Sequence, residues 1–154
     1  VMSEQLRKSL KRMQRLYRIS DALAKAAEGE MRDRQMPLET ERERLDSVHN
    51  YRQEYSQLAI GRELQPLSVS DMTKTRDFAL WLTTVESQQV KTVERCEFVA
   101  DSAREGAAQA RRFARGLELI AEKRAIALHK YQEKQEQSMI DALRPPQDSR
   151  HLAL

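Results

Sequence analysis

One cysteine, four glycines, four prolines and an aromatic content of 5% leave this 154-residue chain short of what a globular enzyme is usually built from. The lone Cys96 excludes an internal disulfide and any cysteine-based zinc motif, and it suits a reducing compartment. His49, His129 and His151 are too dispersed to form a metal cluster with it. No glycine-rich phosphate loop is present, so any ATP involved must be held by a partner. Apolar runs extend only a few residues, too short to cross a membrane, and no secretory signal is visible. The chain is therefore expected in the cytoplasm, peripheral to a membrane at most. Nucleic acid is disfavoured, because the net charge is only +3 and no aromatics interleave the basic residues as stacking platforms. Glutamates and aspartates are plentiful but scattered, as on a solvated face. The chain is not expected to be an enzyme, and no metal or other cofactor is expected.

What remains is 33% charged and 40% hydrophobic, the composition of a thin, solvent-wrapped coiled coil. Spacings of alternately four and three residues run through Leu6, Leu10, Met13, Tyr17, Ser20, Ala24, Ala27, Met31, Arg34, Leu38, Glu41, Leu45, Val48, Arg52, Tyr55 and Ala59. The same rhythm is read through Phe78, Leu82, Val85, Gln89, Thr92, Cys96, Val99, Ala103, Gly106, Ala110, Phe113, Leu117, Ile120, Arg124 and Ala127. Each is a heptad seam, the stripe that one helix lays against another.

Between the two seams, Gly61, Pro66 and the cluster Ser68-Val69-Ser70-Asp71 gather the chain's strongest breakers, and Ser68 with Asp71 three residues on reads as a helix start. The fold class predicted is all-α: a long antiparallel two-stranded coiled-coil hairpin forming one domain over residues 1–154. Its first helix covers about 3–60, the turn about 61–75, the second helix about 70–143 and a mobile tail 144–154. Folding the arms back pairs Tyr55 with Phe78, Val48 with Val85, Leu10 with Arg124 and Leu6 with Ala127. It also sets Phe113 opposite Ser20, Met31 opposite Ala103 and Ala27 opposite Gly106, where the backbones would approach closely.

Pro37 interrupts the first arm and predicts a kink or short break, with the softest packing of the hairpin nearby. Near the amino terminus Arg7, Lys11, Arg15 and Arg18 line one side of the helix, either as a solvated flank or as a face for an acidic partner. Around the turn, Tyr51, Tyr55, Phe78, Trp81 and Leu82 concentrate aromatic and apolar surface. Phe78, Leu82, Val85 and Gln89 fall on the seam and so either clasp the hairpin shut or contribute to a binding patch. Trp81 sits beside the seam, where two helices cannot cover its ring, and exposed tryptophans commonly anchor interfaces. Beyond about Ala127 the second arm has no facing partner, leaving Leu128, Tyr131, Gln135, Met139, Ile140 and Leu143 as an unpaired amphipathic stripe. Arg111, Arg112, Arg115, Lys123 and Arg124 are the neighbouring basic residues.

The segment Tyr51-Arg-Gln-Glu-Tyr55 closing a first amphipathic helix, a turn of about fifteen residues, and Phe78-Ala-Leu-Trp-Leu82 opening a basic second helix resemble the flagellar FliJ family. The resemblance spans Leu6 to about Leu143. It implies a soluble part of the bacterial flagellar type III export apparatus, similar in shape to the coiled-coil stalk of the rotary ATP synthase gamma subunit. The implied partners are the hexameric export ATPase, the cytoplasmic part of the export gate, and export chaperones. The family's gate-contacting stripe falls on Phe78, Leu82, Val85 and Gln89, with Val85 and Gln89 departing from the family's alanine and histidine. The ATPase is then met by the opposite end, through the stripe from Leu128 to Leu143 with Arg7, Lys11 and Arg15. An injectisome stalk and a passive coiled-coil scaffold or dimerisation coil are the alternative readings.

Overall fold

The computed structural model describes residues 1–63 and 68–146. Two α-helices, α1 (Met2–Glu63) and α2 (Val69–Leu143), fold back on each other as a helical hairpin without strands among the described residues. The expected turn residue Pro66 and the end of the expected tail, 147–154, lie outside the described residues.

The start of α2 is fixed locally. Ser68 Oγ accepts a hydrogen bond from the Asp71 amide at 3.2 Å and donates to the Asp71 carboxylate at 2.7 Å, while the Ser68 carbonyl accepts from the Asp71 and Met72 amides at 3.1 Å. Helical structure therefore begins earlier than a turn reaching Thr75 would allow. On the other side α1 runs through Gly61, which costs only about 1 kcal/mol inside a helix and so does not end it. At the carboxyl end, Pro145 and Pro146 lack amide donors and disfavour helical dihedrals before them, and α2 stops at Leu143.

The seam of α1 is the one read from the sequence, with one exception. Arg34 points outward beside Glu30, with 3.9 Å between the charged groups. Labelling the seam positions a and d, the a residues of α1 include Tyr17, Ala24, Leu38 and Leu45, and the d residues include Ser20, Ala27, Glu41 and Val48.

On α2 the reading fails part-way. Phe78, Leu82, Val85 and Gln89 face inward, but the next buried residue is Val93, not Thr92. Two successive steps of four are a stutter, which shifts the stripe by one residue thereafter. The buried line becomes Val93, Ala100, Ala107, Ala114 and Ala121, all a positions, with Cys96, Ala103, Ala110, Leu117 and Arg124 at d. Ala114 is 1% exposed while its neighbour Phe113, the expected partner of Ser20, is 66% exposed. Gly106 is likewise on the outside, where an added Cβ would meet nothing within 4 Å, so close approach does not depend on it. Small side chains at every seventh residue let the bulkier α1 residues sink between them. The large residues Val99, Phe113 and Ile120 are displaced to the flank.

The hairpin divides into two compact units. The first combines Val1–Ala24 with Ala110–Leu154 and is centred on Ser20, Ala24, Ala114 and Ala121. Arg124 lies within its seam and donates to Ser9 Oγ at 2.6 Å, which satisfies a charge placed among apolar neighbours. The second is Lys25–Gln109, whose core cluster is Leu38, Val93 and Ala100 with Leu45 and Cys96 packed against it.

That cluster packs directly beside Pro37, where the loosest packing was expected. Pro37 is exposed and α1 continues through it without a break. The ring faces solvent, where water can serve the Asp33 carbonyl that loses its amide partner, and Leu38, next in the chain, enters the seam at 2% exposure. Burying one leucine contributes about 2 kcal/mol.

The slipped seam ranks two substitutions in an order opposite to side-chain size. Leu38→Ala is expected to destabilise by about 2 kcal/mol or more, whereas Phe113→Ser should cost less than about 0.5 kcal/mol. Urea unfolding followed by circular dichroism measures both; a larger loss for Phe113→Ser would refute the slipped register.

Candidate functional site

The residues singled out near the turn separate into an inner and an outer set, both in the Lys25–Gln109 unit. Leu82 is 4% exposed and Val85 half-buried, so these two serve chiefly to hold the helices together. Phe78 is shared: its ring meets Tyr55 edge-on at 4.5 Å and stacks with Trp81 at 5.5 Å. Trp81 itself is 56% exposed and Tyr51 is similarly open. The accessible part of the expected gate stripe is therefore the edge of Phe78 with Trp81, a rigid aromatic pair held from below by Tyr55.

Gln89 is not free to meet a partner. Its Nε2 donates to the Glu41 carbonyl at 3.0 Å and to the Glu41 carboxylate at 2.6 Å, closing a polar contact inside the seam. One helical turn nearer the hairpin's bend, Glu86 meets two basic side chains. His49 Nδ1 lies 2.9 Å from Oε1, and Arg52 forms an ion pair through Nε with Oε2. The His49 hydrogen bond, reinforced by the positive charges of Arg52 and His49, holds the Glu86 carboxyl below the usual carboxylate range against the opposing effect of partial burial.

The second expected site lies in the other unit. Leu128 and Tyr131 are half-buried and continue the slipped seam, so the uncovered part of α2 begins after them, correcting an overhang that started at Leu128. From Glu133 to Leu143 every residue is exposed, including Met139, Ile140 and Leu143. Gln135 spends its amide on the Tyr131 hydroxyl at 2.9 Å. Arg7, Lys11 and Arg15 are all exposed on α1. Of the basic residues further along α2, Arg111 pairs with Asp21 at 2.7 Å, Arg115 with Glu118, and Arg124 with Ser9, while Arg112 and Lys123 have no ion-pair partner among the described residues.

Among the described residues, no helix is long and apolar enough to cross a membrane, and no group of three or more His, Cys, Asp or Glu could hold a metal ion. The family model described as "Flagellar FliJ protein" matches residues 9–144. The chain belongs to the flagellar FliJ family. It is thus a component of the flagellar type III protein export apparatus with a helical coiled-coil fold. No curated protein and no solved structure matches the chain.

Two features of this FliJ-family chain escaped the sequence reading. The Glu86 cluster unites residues 37 positions apart, His49 and Glu86, each of which looks like an ordinary surface charge in isolation. Its signal was register: His49 and Glu86 both follow a d residue, the place where antiparallel helices set side chains face to face. The exposure of Phe113 is the second, hidden from a reading that sets it in the seam.

Because the folded Glu86 carboxyl titrates below its unfolded counterpart, the stability it contributes is fully present above the ordinary carboxylate pKa and disappears as pH falls through the lowered folded value. Glu86→Gln should therefore melt below the parent at neutral pH, with the gap closing in acid. Thermal melts across that pH range check this; a gap independent of pH would show that the carboxylate charge contributes nothing.

Proposed function

We propose that this FliJ-family chain couples the hexameric export ATPase to the export gate, meeting the ATPase through the carboxyl-terminal part of α2 and the gate through the aromatic pair near the turn. The observation that carries the reading is the segment Glu133–Leu143, a regular helix whose Met139, Ile140 and Leu143 are all exposed. Uncovered apolar side chains on an ordered helix favour a partner that removes them from water. A hexameric ring offers such a partner, and one asymmetric helical segment inside it makes the ring positions inequivalent, biasing which of them hydrolyses next. The flanking Arg7, Lys11 and Arg15 would add electrostatic steering toward acidic ring loops.

At the other site, Trp81 supplies the largest accessible aromatic surface, backed by Phe78 and Tyr55 so that little side-chain entropy is lost on binding. Leu82, Val85 and Gln89 support that surface from within the seam.

With the export ATPase, the chain should raise hydrolysis and promote hexamer formation, and Met139→Asp combined with Leu143→Asp should abolish both effects without loss of helicity. An ATPase indifferent to the parent chain would dispose of the coupling role. For the gate, Trp81→Ala should weaken binding by about ten-fold at unchanged thermal stability, while Leu82→Ala should lower stability first. Calorimetric titration against the gate's cytoplasmic domain separates these, and undiminished binding by Trp81→Ala would remove the patch from consideration.

A further inference from the structure

In the unit formed by Val1–Ala24 and Ala110–Leu154 the two flanks of the seam differ in kind. One flank, at the e positions, is polar and paired, with Asp21 joined to Arg111 at 2.7 Å. The opposite flank, at the g positions, brings Leu16 and Leu23 of α1 alongside Ile120 and Phe113 of α2 by register. Ile19 lies next to them on α1. All five are 40% or more exposed, Phe113 most of all. Phe113 and Ile120 are residues that the slip at Val93 expels from the seam, and the set lines the valley between two antiparallel helices rather than the crest of one.

The rim of that valley carries one sign of charge. Arg12 on α1 and Lys123 on α2 stand one step outside the apolar residues, Arg112 one step further round, and none of the three has an ion-pair partner among the described residues. Arg12 and Arg15 line one shallow depression together with Leu16. The acids of these stretches, Asp21, Glu118 and Glu122, all fall on the other side of the seam.

We propose that this valley is the docking site of an acidic amphipathic helix supplied by a partner protein, packed as the third helix of a three-helix bundle. A helix fits the groove between two helices with its apolar stripe down and its acidic edges against Arg12 and Lys123. A second copy of this chain would bring the same cationic rim against itself, which like charges oppose. A membrane meets a flat or convex face more readily than a valley, and would leave the groove floor unfilled. The inference does not depend on the coupling role, since it concerns a different surface and a different partner element.

The test uses the full chain and a fluorescent peptide of about 21 residues, six helical turns, with leucine at heptad a and d positions and glutamate at the edges; a second peptide carries lysine at the edges. Anisotropy should show saturable binding of the glutamate peptide that weakens with added salt, and none of the lysine peptide. Leu23→Glu with Phe113→Glu should weaken binding by at least about ten-fold while helicity is kept. Phe113→Ser, which alters one mostly exposed ring, provides the same comparison if the double variant fails to fold. Absence of saturable glutamate-peptide binding below about 1 mM would overturn the proposal, as would equal binding of both peptides or indifference to both variants. Competition by phosphatidylglycerol vesicles through the same residues would assign the face to lipid, and a concentration-dependent dimer lost in Phe113→Ser would assign it to a second copy; either result overturns the acidic helix.

Discussion

Everything in this hairpin depends on how closely two helices can approach, and that is set by the alanines at every seventh position of α2. Ala100, Ala107, Ala114 and Ala121 present little more than backbone to α1, and Leu38 packs beside Ala100 and Val93. A core this thin buries few large residues, and Leu38 is the largest side chain fully buried among the described residues. The rest of the cohesion comes from contacts along the edges, where Arg42 meets Glu97 at 3.1 Å and Asp21 meets Arg111 at 2.7 Å. Such partly exposed ion pairs contribute little singly, so their value is in fixing alignment more than in adding stability.

Much of the fold was legible because a two-helix hairpin has few variables. The α1 seam apart from Arg34, the helix start at Ser68 and Asp71, and the stop before Pro145 all follow from the local sequence. What the sequence hid was a choice between two adjacent stripes on α2. One carried Val99, Phe113 and Ile120, the other carried alanines, and hydrophobicity alone favours the first. Packing reversed that preference, because large residues on both helices would hold them apart. The short break that Pro37 allows for does not occur: the helix continues through it, with the proline ring exposed to water.

The candidate site residues were legible in position along the helices and misjudged in accessibility. Trp81 was placed beside the seam and stands exposed, but Leu82 and Gln89, part of the same expected stripe, are committed to holding α1. Being one residue off a seam or on it decides whether a side chain is a contact for a partner or a support for one. The same one-residue difference, acting through the stutter at Val93, creates the apolar valley at Leu23 and Phe113 that no reading of an uninterrupted heptad would reveal.

The amide of Gln89 has a consequence for how the hairpin closes. Apolar seams tolerate being slid by a turn, since one leucine replaces another, and a long pair of such helices could therefore zip up in several alignments. Gln89 reaches the Glu41 carbonyl and carboxylate in only one of them; a displaced alignment would leave its amide without these acceptors, whereas Glu41 keeps Arg44 on its own helix. The contact thus acts as a notch inside the seam, adding to the edge pairs in selecting one closure from a ladder of near-equivalents.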